Sequence, residues 1–242
     1  MVFSQEKDSL FMYSYEELNQ RFSKLRYKKP KTAKLYADTM LKKAISERNT
    51  KEEYNAYILQ SKSLGYLGNI SDALVLANKC IAYAKEKNDI VFYVKSIKRK
   101  GTLYYNFGKY DEAIKYYLKV DSIARITKNK EYFIYSNQSI ASVKTVLGDH
   151  KNAADLFLTN ETILASLKQD SKYKSKYLNT IIGLCSSYTY FDVPKAEKYL
   201  SQIKKISLNT EDKDGLAYYY MLKGIIYYLK KDPDAALQMT PH

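Results

Sequence analysis

The sequence has no tryptophan, two cysteines, two histidines, four prolines and no long uninterrupted apolar run. Each scarcity removes a class of explanation. Without an apolar stretch of about twenty residues, no segment reads as a membrane-spanning helix. The histidines are His150, in an expected turn, and His242, at the terminus. Neither belongs to a nucleophile, acid–base or metal constellation, and no glycine-rich phosphate loop accompanies them. The chain therefore reads as non-enzymatic, with no metal and no cofactor. Cys80 and Cys185 are far apart in the chain and read as small buried hydrophobes rather than a disulfide or reactive thiols. Arginine is scarce as well: only Arg21, Arg26, Arg48, Arg99 and Arg125 occur among 40 basic residues. The formal charge of +14 is almost all lysine, scattered along the chain. Base-edge and bidentate phosphate recognition favour arginine, so a solvated surface explains most of this charge.

What the chain does have is a period. In "LYYNFGKYDEAIKYYLKV" (103–120), apolar residues spaced three and four apart stop at Gly108 and resume after Asp111 and Glu112. Glycine can take the left-handed conformation that ends a helix, and acidic residues suit the first turn of the next. The stretch reads as an αα-hairpin. The same outline recurs at Ala33, Ala73, Ala113 and Ala153, at a step of 40 residues, then at Ala196 after 43 and Ala236 after another 40. Gly68, Gly108 and Gly148 repeat with it. Twelve residues before the later alanines stand Ser61, Gly101, Ala141, Leu184 and Gly224, mostly small, which lets paired helices approach closely. Pro30, Pro194 and Pro233 fall at the expected start of second helices, where the missing N–H has no intrahelical role. The period predicts an all-α solenoid of helical hairpins.

Gly101, Tyr104, Gly108, Tyr110, Ala113 and Tyr117 have the spacing of the tetratricopeptide (TPR) repeat, which this chain resembles. Ala141, Gly148, Ala153 and Phe157 match part of it, as do Gly224, Tyr227 and Ala236. The step of 40 exceeds the roughly 34 residues of that repeat, so each hairpin is expected to have longer helices. The resemblance implies a right-handed TPR-like superhelix. After an N-terminal segment (1–12), hairpins are expected at about 13–48, 50–87, 88–127, 129–168, 171–208 and 211–242, the last cut short. Most of the 26 tyrosines are expected to fill space between helices, with the hydroxyl at an edge.

The ends suggest a longer protein. Val2-Phe3-Ser4 has the small–large–small pattern that closes an export signal; a native disordered start explains it equally. The last hairpin breaks off after "PDAALQMTPH", which is expected to leave an apolar face open to self-association. "YSYEELNQRF" (13–22), after "FSQEKDSL" and before long TPR hairpins, is similar to the opening of a family of membrane-anchored bacterial transcriptional regulators. Members combine an export signal, a periplasmic TPR array, one membrane span and a cytoplasmic AraC-type helix-turn-helix domain. That resemblance implies a periplasmic sensor region, with DNA bound only through a domain beyond this sequence. A free-standing, cytoplasmic TPR scaffold is the alternative. A chaperone-docking clamp is a third reading: Lys98 matches one of its positions, but Thr102 stands where asparagine is expected.

In TPR proteins the first helices line the concave surface. The segment "KSIKRKG" puts Lys95, Lys98, Arg99 and Lys100 on one of them, and an anion or acidic peptide is one possible guest there. Projecting this register along the chain gives an expected groove of Lys62, Lys95, Lys98, Thr102, Tyr105, Asn106, Gln138, Ser142, Tyr188, Tyr218 and Tyr228. Its guest is expected to be a peptide, a protein or another ligand, and tyrosines there would supply contact area at low entropic cost.

Overall fold

The computed structural model describes residues 10–167 and 170–230. Among the described residues the regular structure is all helical: α1 Tyr15–Leu25, α2 Pro30–Ser46, α3 Thr50–Tyr66, α4 Ile70–Glu86, α5 Ile90–Asn106, α6 Tyr110–Thr127, α7 Lys130–Val146, α8 His150–Ala165, α9 Ser171–Tyr188, α10 Val193–Asn209 and α11 Lys213–Leu229. The fold is a TPR-like solenoid of helical hairpins. Pro233 and Ala236, on which the sixth hairpin's second helix was expected, lie outside the described residues.

One turn design joins most of the helices. Gly68, Gly108 and Gly148 have φ of +81°, +71° and +81°. Arg48, Asn88 and Lys128, with φ of 53°, 52° and 52°, do the same work between hairpins. The left-handed residues thus recur every twenty positions, half the period carried by the alanines. Around each one, the following N–H reaches back to a carbonyl in the last turn. Asn49 N–H reaches Ala44 at 2.8 Å, Asn69 reaches Leu64 at 2.9 Å and Asp89 reaches Ala84 at 2.9 Å. This is the Schellman closure, which satisfies carbonyls that a helix end leaves open. At Asn49, Asn69, Asp89, Asn129 and Asp212 the same residue then caps the next helix with its side chain: Asn49 Oδ1 accepts from Glu52 N–H and Asp89 Oδ1 from Phe92 N–H. Where stop and start share one Asn or Asp, three residues link the helices and cap the second one. The first described helix starts differently, on a capping box in which Ser14 and Glu17 satisfy each other's backbone N–H.

The chain divides into two compact units, residues 1–119 and 120–242, with the boundary inside α6. In the first, small residues on second helices take large ones from first helices. Leu18 and Phe22 of α1 pack on Ala33, Ala37 and Met40 of α2 and on Ala56 and Leu59 of α3. Burying a side chain such as Phe22 contributes about 1.5–3 kcal/mol. Tyr54 of α3 stacks on Tyr83 of α4 at 3.6 Å, with Phe92 of α5 edge-on. Gly101 of α5 is small for a local reason: a Cβ there would stand 2.6 Å from the Tyr117 ring.

The second unit has one continuous core running from Ala141 and Phe157 through Ile181, Leu184 and Ile203 to Tyr219, Leu222 and Ile226. Here the extra three residues of the fifth hairpin shift the packing. Gly183 makes its close approach to the preceding helix, α8: a Cβ on it would fall 2.4 Å from the Phe157 ring. Cys185 donates its thiol to the Ala196 carbonyl at 3.3 Å, as Ser61 Oγ in the first unit donates to Ala73 at 2.8 Å. Leu184 is instead a fully buried core side chain. Burial pushes the thiols of Cys80 and Cys185 up to about 12, so both stay protonated. Among the described residues no helix is long and apolar enough to cross a membrane.

Candidate functional site

In the first unit, α3 and α5 lie side by side and their side chains interlock. Lys95 of α5 donates to Asn55 of α3. One turn on, Arg99 reaches back over Gly65, where a Cβ would stand 2.5 Å from its guanidinium. Its Nε donates to Ser61 Oγ at 3.0 Å and a terminal nitrogen to the Ser61 carbonyl at 2.5 Å. Ser61 thereby accepts from α5 while donating to α4. Arg99 is 6% exposed, an uncommon degree of burial for a guanidinium.

Lys62 lies half-buried beside this arginine. Its amine is pushed down to about 8, first by burial and then by Lys95, Arg99, Arg26 and Lys98. Burial also lowers Lys95, against the pull of Glu52. An aromatic pair adjoins the cations: Tyr27 and Tyr66 meet edge to face at 5.1 Å, and the Arg26 guanidinium lies 4.7 Å from the Tyr27 ring centre. Burial and a hydrogen bond with Tyr27 push the Tyr66 hydroxyl up to about 12. Past Lys95 the face continues into a cleft of about 380 Å³ lined by Tyr15, Asn19, Met40, Glu52, Asn55 and Leu59, with Glu16 at its edge.

Of the other groove residues expected in this unit, Lys98 and Thr102 are half-buried, and Thr102 Oγ1 donates to the Lys98 carbonyl at 3.0 Å. Tyr105 meets Tyr110 edge-on at 5.8 Å, and Asn106 is exposed at the end of α5. Lys62, Lys95 and Lys98 therefore share one face. Sequence reasoning passed over Arg26, Asn55, Tyr27 and Tyr66, and left Arg99 out of the groove. Asn55 had a detectable signal, since it stands one repeat before Lys95.

The second unit treats its expected residues differently. Gln138 of α7 donates to the Lys176 carbonyl at 3.0 Å and to Thr180 Oγ1 at 2.9 Å, so its amide ties α7 to α9. Ser142 Oγ donates to the Gln138 carbonyl. Beside them Glu131 accepts from Lys172 at 2.7 Å and Lys176 at 3.1 Å, and these lysines, Lys172 foremost, hold its carboxyl below the usual range. Tyr188 is a core residue, 6% exposed, stacked on Tyr199 at 5.7 Å and tilted against Phe191. Its place in the longer fifth hairpin turns the ring inward between helices. Tyr218 and Tyr228 are exposed on α11. A separate cleft of about 620 Å³ opens between the start of α9 and the end of α10, floored by Tyr177, Leu178 and Ile206, with Lys174 and Lys205 among its lining. Among the described residues no group of three metal-ligating side chains forms.

No family model matches the sequence, and no curated protein matches it. Solved structures do match in fold. BtubC (BKLC) from P. vanneervenii superposes with a TM-score of 0.71 at 15% identity, covering 88% of each chain. A signal-transduction ATPase with a tetratricopeptide repeat sensor, from Pyrococcus horikoshii, gives 0.68 at 16% identity over 93% of this chain and 35% of its own. NprR in complex with its cognate peptide NprX gives 0.57 at 15% identity over 93% of this chain and 70% of its own. These neighbours are TPR-like repeat proteins, and at such identities the likeness is one of fold.

Proposed function

We propose that this chain is the partner-binding sensor region of a longer, membrane-anchored transcriptional regulator, placed in the periplasm, and that the α3–α5 face receives its peptide or protein ligand. The observation that carries the reading is the convergence of Lys62, Lys95, Lys98 and Arg99, with Arg26, on one face beside exposed and half-buried aromatic rings. Cations gathered this closely destabilise a fold unless something opposes them, so the arrangement suits binding better than packing. A TPR sensor in a signalling ATPase and a TPR-like protein holding a peptide share the fold, which supports a binding and sensing role. The regulator context rests on the "YSYEELNQRF" resemblance. Helix pairs that touch mainly their neighbours can add small rotations into a larger displacement, and a ligand shifts that equilibrium by its differential affinity for the two shapes.

The test is charge reversal of Lys95 and Lys98 to glutamate in the full-length protein. Loss of the target-gene response with an unchanged helical melt is the expected result. A normal response would remove this face from the mechanism, and a chain that acts without any DNA-binding partner domain would favour a free scaffold.

A further inference from the structure

The cations of this chain are not spread evenly. Residues 18–37 carry seven of them and no Asp or Glu. Three, Lys28, Lys29 and Lys31, lie exposed where α1 turns into α2. Among the described residues their ammonium groups make no hydrogen bond or ion pair. The acids that flank the stretch are already engaged. Glu17 accepts from the backbone and side chain of Ser14, and Asp38 holds Lys34 and Gln60. Like charges this close repel one another, so the fold gains nothing from the cluster.

Apolar side chains stand among these lysines. Tyr27, at the tip of the same turn, is 70% exposed, and Leu67, at the tip of the α3–α4 turn, is 39% exposed. Tyr66, next to Leu67, meets the Tyr27 ring edge to face at 5.1 Å, which sets the two tips side by side. Exposure alone does not single out this end of the hairpins, because Ile45 and Val91 at the opposite end are as open. Charge does. Around the link at 47–49, Lys43, Arg48 and Lys51 are matched by Glu47, Glu52 and Glu53. Around the link at 87–89, Lys85 and Lys87 are matched by Glu86 and Asp89. The patch also stops short of the third turn, where Phe107 is exposed but Asp111 and Glu112 follow it.

We propose that the α1–α2 turn and the tip of the α3–α4 turn beside it form a docking surface for anionic phospholipid bilayers. Lys28, Lys29 and Lys31 meet the headgroup phosphates, while Tyr27 and Leu67 enter the interface between headgroups and acyl chains. Nucleic acid is the poorer fit, since it is met by arginine and by a groove that tracks the strand. Here the unpaired cations are lysines, and the surface is the tip of a turn. The proposal goes beyond the sensor reading and does not need it. A free scaffold would carry the same surface, so failure here leaves ligand binding on the α3–α5 face untouched.

The chain contains no tryptophan, so one placed at a chosen site reports on that site alone. The probes are vesicles of phosphatidylcholine with about one third phosphatidylglycerol, and of phosphatidylcholine alone, in about 0.1 M salt. Expected is sedimentation of the chain with the mixed vesicles, weakened by added salt, and none with the neutral ones. Each lysine at such a surface contributes roughly fivefold, so Lys28→Gln, Lys29→Gln and Lys31→Gln together should weaken binding about a hundredfold. Lys174→Gln, Lys204→Gln and Lys205→Gln together, in the second unit, should leave it within about threefold. Tyr27→Ser should weaken it several-fold with an unchanged melt. On mixed vesicles Leu67→Trp should emit further to the blue and be quenched by brominated acyl chains, and Val91→Trp should do neither. Absence of binding to mixed vesicles, equal loss from the second-unit variant, or equal blue shifts at Leu67→Trp and Val91→Trp would each overturn the proposal. A single-stranded oligonucleotide held more tightly than mixed vesicles, through the same three lysines, would overturn the lipid assignment in favour of nucleic acid.

Discussion

The faces built by α3 with α5 and by α7 with α9 are made from corresponding positions of one repeat, yet they treat charge in opposite ways. On the second, Glu131 takes Lys172 and Lys176, while Gln138 closes the gap between helices through neutral hydrogen bonds. Behind it Asn137 donates to Asn160 at 3.1 Å, and Asn160 donates to the Ile134 carbonyl at 2.8 Å, both asparagines being buried. On the first face, the residue one repeat before Gln138 is Lys98 and the one before Asn137 is Ile97. Arg99 does the bridging, and Lys62 is left among cations. The scaffold holds either solution. One face is internally neutralised through ion pairs and amides; the other gathers cations.

The comparison can be broken most severely in the second unit. Replacing Asn160 with alanine strands the Asn137 amide and the Ile134 carbonyl in a buried setting. Stability should fall by about 2–3 kcal/mol, read from urea unfolding. No single position on the α3–α5 face should cost as much by losing a neutral hydrogen bond.

A smaller effect of opposite sign is expected at Lys62. Replacing it with methionine removes a repelled charge and keeps the aliphatic packing, so stability at neutral pH should rise by about 1–2 kcal/mol. The gain should also depend on pH. Because the folded amine titrates near 8, below the ordinary lysine value, the unfolded chain binds more protons between those limits. Lys62 therefore penalises folding fully below pH 8 and progressively less above it. The advantage of the methionine variant should shrink between about pH 8 and about pH 10.5. A constant difference would mean that Lys62 titrates normally.

The least effect should come from Glu131→Gln, about 0.5 kcal/mol, since its lysine partners are partly or largely exposed. In the native chain, the Glu131 contribution should be present above the usual glutamate range and lost as pH falls through its lowered value.

These contrasts were only half visible in the chain. The hairpins could be read because glycine marks a left-handed turn and proline a helix start: Gly68, Gly108 and Gly148 have positive φ, and Pro30 and Pro194 lie in first turns. The links between hairpins were quieter, because Arg48, Asn88, Lys128 and Glu211 adopt the same conformation without a residue type that demands it. Their marker is the Asn or Asp that follows, which closes one helix and caps the next. The cationic face was legible as a cluster, since i, i+3 and i+4 spacing fixes which α5 side chains share a side. What Arg99 does was not, because it depends on the room left by Gly65 on another helix. Tyr188 shows the converse: three added residues in the fifth hairpin displace the register, and projection from the third repeat misassigns the ring.

The shared turn has a consequence for how such a chain can change its length. One helix and its link make a module of twenty residues, and the links from α2 through α8 all close on the same Schellman turn. Gain or loss of one module would join without strain but exchange first helices for second along everything downstream. Gain or loss of two would leave every face in place and add or remove one rung. Inheritance in pairs is then the only neutral edit, and the alternation of glycine with longer residues at the links records that pairing in the sequence.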